Sequence, residues 1–367
     1  MNSSIIKEKV IQDFGSSMWV GGEFYYDDQW QLDRPQIDTS DMIFLNGGKA
    51  CLIVIADTLR SLGIDRILLP AYLCPTIVNT LESRGLCGDY YPVHSDLTID
   101  LDSLDERINH YQAVFFINYF GFRHSDAVYD YFNALRKRGV FVVEDNAQAG
   151  FASRCMADFV FNSIRKLAPY DGGYLYTRHN VSDLISRYPS VENRRLPVMR
   201  KYRQRLGEYR YRGIGARNEL MELYEQAERF YELDAVVAGD PDERQSIEHL
   251  DWNGIKRARR ENYAYLLELL ANIPRVSPLF PALQPDIMPL GLPVYIEEIP
   301  RDHVFDALGA DGIGLTVHWD ALLRDPSLNS DPVVVEMASR MLTLCIDQRV
   351  TRKQLEYQAH RLYQLLK

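Results

Sequence analysis

The tightest constraint on the fold is the run AVFFINYF at 113–120, in which Asn118 is the one strongly polar side chain. A strand so apolar has to be covered on both faces, as in a mostly parallel sheet sandwiched by helices. The surrounding sequence supplies the pieces. Apolar residues recur at helical spacing over 50–62, 75–84 and 125–138, and each stretch is followed by a glycine stop at Gly63, Gly85 or Gly139. Short apolar strands are predicted at 67–69, 89–93, 141–144, 158–161 and 174–177. Strands alternating with helices in this way make βαβ units. Ligands of such sheets bind beyond the carboxyl ends of the strands, so chemistry is expected in the loops after Leu69, Phe120, Glu144 and Phe161.

Further along, 180–244 is charged, tyrosine-rich and mostly helical in pattern. The stretch 250–273 reads as one long helix with Arg257, Arg259, Arg260 and Glu261 on a solvated face. A strand at 292–296 and an amphipathic helix at 351–366 complete the chain. The expected division is a large domain over 1–245 and a smaller C-terminal α/β domain over 246–367.

With 46% hydrophobic and 25% charged residues, the 367-residue chain has an ordinary globular composition, which excludes disordered and collagen-like classes. A formal net charge of −10 argues against nucleic acid or an anionic membrane as partner. The five cysteines, Cys51, Cys74, Cys87, Cys155 and Cys345, form no C-x-x-C pair and no Cys/His cluster, so reduced thiols and no metal are expected. The opening MNSSIIKEKVIQDFG lacks the apolar core of a secretory signal, and no run approaches the roughly 20 apolar residues of a membrane span. The expectation is a soluble cytoplasmic protein.

Four signals fall at the predicted strand ends. Asn46-Gly47-Gly48-Lys49 precedes a helix, where glycines and the helix N-terminus can close on an anion. Asp145 ends a buried strand and is followed by Gln148; a carboxylate there can keep a pyridine nitrogen protonated, or simply cap a loop. Ser163-Ile164-Arg165-Lys166 follows the next strand. Its lysine can form a Schiff base with an aldehyde cofactor when desolvation or a nearby cation such as Arg165 lowers its pKa. Asp171-Gly172-Gly173 allows close backbone approach or a plain hairpin turn.

Taken in order, these stretches resemble the DegT/DnrJ/EryC1/StrS group of sugar aminotransferases, within the fold-type I pyridoxal phosphate enzymes. The resemblance runs through GGKACLIVIADTLRSLGIDRILLPAYLCPTIV, EDNAQA and Asp158 with FVFNSIRKLAPYDGG, and returns at 342–354. It implies an aspartate-aminotransferase-like fold, pyridoxal 5′-phosphate as cofactor and a homodimer. It also implies transfer of an amino group from glutamate or glutamine to a keto sugar or nucleotide sugar, in amino sugar biosynthesis. By the same resemblance Lys166 is the Schiff-base lysine, Asp145 pairs with the ring nitrogen and Gln148 packs on the hydroxyl side of the ring. Ser163 with the backbone of Gly47, Gly48 and Lys49 holds the phosphate. The sequence diverges at four points. Gly48 replaces a Thr or Ser, and Cys74 replaces the stacking aromatic, a role then open to Tyr72. Asp171 replaces a Glu, and the stretch between Gln148 and Lys166 is short. Lyases, dehydratases, racemases and cyclases share this fold and lysine, and some relatives are non-catalytic regulators. No G-x-G-x-x-G follows the first strand, which counts against a nucleotide-dependent oxidoreductase.

Other residues suit substrate. Residues 194–217 hold nine basic side chains and the single acid Glu208, a patch for an anionic substrate, a solvated face or a dimer contact. By the resemblance, Tyr25 and Tyr26 in GGEFYYDDQW line the entrance, and His318 and Trp319 face the site. Arg349 could receive the donor's carboxylate. Packing roles serve equally for each of these.

Overall fold

The structure, a computed structural model, describes residues 18–152, 157–324 and 331–367. The opening stretch 1–15 and Cys155 lie outside them.

Strand β1 (Val20–Gly21) comes first, and the main sheet then takes β2 (Ile43–Leu45), β3 (Arg66–Pro70), β4 (Cys87–Tyr91), β5 (Ala113–Ile117), β6 (Phe141–Asp145), β7 (Phe159–Phe161) and β8 (Gly173–Thr177). Their spatial order is β2-β8-β7-β6-β5-β3-β4, and β8 alone runs antiparallel to both of its neighbours. All five residues of β5 are buried, so this strand is the core of the sheet. Each fully buried Phe or Ile in it contributes about 1.5–3 kcal/mol. The strand stops at Ile117, three residues short of the apolar run, because Phe120 takes a left-handed backbone at φ 54° and turns the chain. At the opposite end, Asp158 Oδ2 accepts the Val142 N–H at 3.0 Å and ties the start of β7 to β6.

Helices fill both faces, at Gly48–Ser61, Pro75–Ser83 and Asp126–Lys137, with a shorter one at Leu101–Ile108 that periodicity did not single out. Strand β4 begins and ends two residues earlier than 89–93. The remaining strands, β9 (Val276–Pro278), β10 (Leu292–Ile296), β11 (Ile313–Gly314) and β12 (Met341–Leu344), build the second region. There β12-β10-β9 form an antiparallel sheet, and β1 pairs in parallel with β11. The last helix, Arg352–Leu366, opens on a capping box between Thr351 and Gln354. The architecture is a large, mostly parallel sheet plus a smaller C-terminal α/β unit.

Two expectations about charge are corrected. Helix Trp252–Leu270 does not present Arg259 to solvent: the residue is 1% exposed. Its guanidinium donates to Gln348 Oε1 at 2.8 Å and to the carbonyls of Leu290 at 2.9 Å and Pro289 at 3.2 Å. The basic stretch at 194–217 is open only in part: Lys201, Arg212 and Arg217 are exposed, but other arginines are paired. Acids from distant segments meet it: Arg194 pairs with Asp234, Arg195 with Asp171 and Glu228, Arg200 with Asp240 and Glu243, and Arg203 with Asp171. Replacing Arg259 with Met orphans buried carbonyls while keeping volume. The expected cost is about 3 kcal/mol, read from the midpoint of chemical unfolding.

Candidate active site

Pleating places the site. Ile117, Asp145 and Phe161 are register partners across β5, β6 and β7, so their side chains emerge on one side of the sheet at its carboxyl edge. All three line a single cavity. Loops from those strands add Ala147, Gln148, Ser163, Arg165 and Lys166, the helix N-terminus at Gly48 adds Gly48 and Lys49, and Cys74, Thr76 and Ile77 close the far side. Tyr231 and Trp319 complete the lining.

Asp145 is 4% exposed. Burial raises its carboxyl to about 6, against the opposing pull of the Lys166 charge and the Ala147 N–H, which Oδ1 accepts at 2.7 Å. Lys166 ends a short turn, Ile164–Lys166. Burial lowers the pKa of its amine and the Arg165 charge adds to that, while Cys74 and Asp145 oppose it. The amine has no hydrogen-bond or ion-pair partner among the described residues, so it is free to react. Gln148 Oε1 accepts the Phe120 N–H at 2.6 Å and so holds the left-handed turn, whereas its Nε2 is buried with no partner among the described residues. The cavity thus holds an unsatisfied donor, a buried carboxylate and an unengaged amine together.

The turn at Gly47 and Gly48 is close-packed against its neighbours. A Cβ at Gly48 would stand 3.3 Å from Ser163 Cβ, so the helix start and Ser163 nearly touch. A Cβ at Gly173 would come within 2.6 Å of the Asn162 carbonyl and 2.8 Å of the Gly47 backbone, so the sequence Gly172-Gly173 is needed for close approach of two chains. Asp171, at the same turn, is buried between Arg195 and Arg203, whose charges hold its carboxyl below the usual range despite desolvation.

Other residues singled out in the sequence lie elsewhere. Tyr72 is fully buried and absent from the cavity wall; its hydroxyl donates to the His318 carbonyl and its ring packs at 5.3 Å from Trp319. Trp319 therefore reaches the cavity and Tyr72 supports it from behind. Tyr25 hydrogen-bonds Tyr211 at 2.7 Å, and Tyr26 packs on Tyr170, both outside the wall. Arg349 pairs with the Asp347 carboxylate at 2.7 Å and donates to the carbonyls of Gly22 and Glu23, so it anchors the N-terminal segment. His318 is buried behind the cavity, with Nδ1 3.0 Å from Thr343 Oγ1. Sequence reasoning missed Tyr231, which arrives from helix Arg217–Leu233, and Thr76. No local motif marks the tyrosine; only its position on a helix folded back over Lys49 does.

Among the described residues no group of His, Cys, Asp and Glu is arranged to hold a metal, and no helix is long and apolar enough to cross a membrane. Cys51, Cys74, Cys87 and Cys345 are free thiols.

Sheet order, the lysine after β7 and the acid ending β6 define an aspartate-aminotransferase-like fold of type I. Solved structures share it over nearly the whole chain. PseC of Helicobacter pylori, an aminotransferase involved in the biosynthesis of pseudoaminic acid, matches with a TM-score of 0.65 at 12% identity, covering 95% of this chain and 99% of its own. DesV of S. venezuelae matches at 0.62 and 19%, covering 100% and 95%. The PLP-form of the sugar aminotransferase Spr1654 from Streptococcus pneumoniae matches at 0.62 and 15%, covering 99% and 97%. At these identities the likeness establishes the fold. No protein-family model and no curated protein matches the sequence.

His318 makes the fold sensitive to acid. Burial, aided by the Lys166 charge, lowers its ring from the ordinary 6.5 to about 3. Below 6.5 the unfolded chain binds a proton that the folded chain refuses, so stability present above 6.5 is lost as pH falls toward 3, at about 1.4 kcal/mol per unit. Asp145 works the other way between 3.8 and about 6, because its raised pKa favours the folded state as it protonates. The His318→Gln variant isolates the histidine. Between pH 7 and 5 wild type should lose about 2 kcal/mol relative to the variant in urea unfolding; parallel pH profiles would show that the ring does not carry this dependence.

Proposed function

We propose that the chain is a pyridoxal phosphate-dependent aminotransferase of the sugar aminotransferase type. The observation that carries this reading is the unpartnered Lys166 amine in one cavity with buried Asp145 and the orphaned Gln148 Nε2. The residues fit the cofactor. The N–H groups at the start of helix Gly48–Ser61, with Ser163, form the anion cradle. Asp145 answers a protonated ring nitrogen, and Gln148 Nε2 supplies a donor with nothing else to bond. When bound, pyridoxal phosphate supplies an aldehyde carbon and an electron-withdrawing ring.

The chain's own residues do the rest. Lys166, its pKa lowered by burial, carries more neutral amine at physiological pH than an exposed lysine, which suits it to attack a carbonyl carbon and to take a proton. In its neutral form the same amine would take the proton from the amino-bearing carbon of the donor and, in the second half of the reaction, give one to the acceptor carbon that receives the amino group. Burial makes the charged form of Asp145 costly, so a protonated ring nitrogen opposite it would be favoured. Trp319 and Tyr231 wall the cavity against water.

The amino donor is glutamate or glutamine and the acceptor a keto sugar or nucleotide sugar. The protein works as a cytoplasmic homodimer, with residues 1–245 as the cofactor-binding domain and 246–367 as the smaller one. The sugar acceptor rests on the resemblance in sequence and on the neighbours named above, the donor and the homodimer on the resemblance alone, and the compartment and domain bounds on the sequence pattern. The test is release of 2-oxoglutarate from glutamate by the purified protein with pyridoxal phosphate. About one equivalent per chain is expected in the absence of acceptor, and none from Lys166→Ala. Undiminished release by that variant would overturn the assignment of the lysine, and no release by wild type from any amino donor would favour a lyase or dehydratase.

A further inference from the structure

Three cations converge on the cradle end of the cavity around the ring of Tyr231: Lys49 Nζ at 5.2 Å, Arg165 Cζ at 4.5 Å and Arg195 Cζ at 5.4 Å from its centroid. Two of them are spent. The Lys49 amine donates to the carbonyls of Tyr231 at 2.7 Å and Glu232 at 3.2 Å. Arg195 bridges Asp171 and Glu228 and stands outside the cavity wall. Arg165 differs. Its charged partner among the described residues is Glu228 Oε1 at 3.4 Å, the same oxygen that Arg195 holds more closely at 3.0 Å. The rest of its donor fork is uncommitted, and the side chain lines the cavity together with Gly48, Ser163 and Lys166.

The cradle needs such a charge. Gly48 has no side chain, and a Cβ there would press on Ser163 at 3.3 Å. The backbone N–H groups and the Ser163 hydroxyl that remain are neutral donors. A phosphate monoester carries about −1.5 to −2 charge at neutral pH, and a guanidinium fork matches its oxygens in both geometry and charge.

We propose that Arg165 is the cation that receives the phosphate group of the cofactor in this cavity. The inference rests on the reading of the site as one for pyridoxal phosphate. A substrate carboxylate would offer the same fork chemistry from another source, so the experiment separates the two. Cofactor-free protein is titrated with pyridoxal phosphate and with pyridoxal, which lacks the phosphate, following quenching of tryptophan fluorescence, to which Trp319 in the cavity wall contributes. The readout is the ratio of the two affinities, in which any effect common to both aldehydes, misfolding included, cancels. Arg165→Ala should lower that ratio by about 10- to 100-fold, and Arg165→Lys, which keeps a point charge without the fork, by less. An unchanged ratio overturns the proposal. If the ratio is unchanged and only the glutamate concentration needed for 2-oxoglutarate release rises, the guanidinium receives the donor's carboxylate instead. Wild-type protein that binds neither aldehyde would overturn both this proposal and the reading of the site on which it rests.

Discussion

A carboxylate placed at the end of a fully covered strand is the constraint around which this molecule is arranged. Asp145 gains its position from the pleat, flanked in register by Ile117 and Phe161, and its burial makes ionisation costly unless a cation faces it. The strand below it must therefore be apolar on both faces, and the neighbouring loops must bring both the amine of Lys166 and the support that keeps the edge in shape. Part of that support is a polar cluster: Asn118 Nδ2 donates to Glu144 Oε1 at 2.8 Å and to Asn146 Oδ1 at 2.6 Å, while Tyr129 donates to Asn118 Oδ1 at 2.9 Å. Bonds of this kind between β5 and the end of β6 fix the edge more sharply than apolar contact alone.

The helical pair Arg195–Arg212 and Arg217–Leu233 shows the complementary use of charge. Two of its arginines turn inward, Arg195 and Arg203, and grip Asp171 beside the glycines that let neighbouring backbone segments approach. Glu243 accepts the Asp171 N–H at 2.7 Å and pairs with Arg200, so helix Pro241–Glu248 joins the same network. Buried pairs add little net stability but penalise any arrangement in which one partner is missing. The network therefore acts as a template that brings Tyr231 over the cradle.

The sheet was legible because its strands are short, apolar and punctuated by glycines, and the lysine, acid and cradle were legible because they follow those strands directly. What escaped was long-range. Arg259 lies in a stretch rich in charge, and nothing local distinguishes it and Arg260, which both cap carbonyls of another segment, from the exposed Arg257. Tyr231 and the pairing of residues 194–205 depend on a helix folding back across the sheet, a contact that periodicity does not encode. Arg349 has the fork that suits a donor's carboxylate, and Tyr72 the ring that suits stacking on a cofactor. In the fold the fork is engaged by Asp347 and the backbone of Gly22 and Glu23, and the Tyr72 ring packs against Trp319 while its hydroxyl donates to the His318 carbonyl.

The two-residue period of β6 also governs how such a chain can change length over descent. One residue gained or lost within the strand would rotate Asp145 away and present Glu144, now bonded to Asn118 beneath the edge, to the cavity in its place. The connection leaving the strand after Gln148 carries no such alternation, so it can shorten without turning any side chain over. A chain of this lineage can therefore drift widely in its loops while the spacing inside its strands stays frozen, and low overall identity is compatible with an unaltered chemical centre.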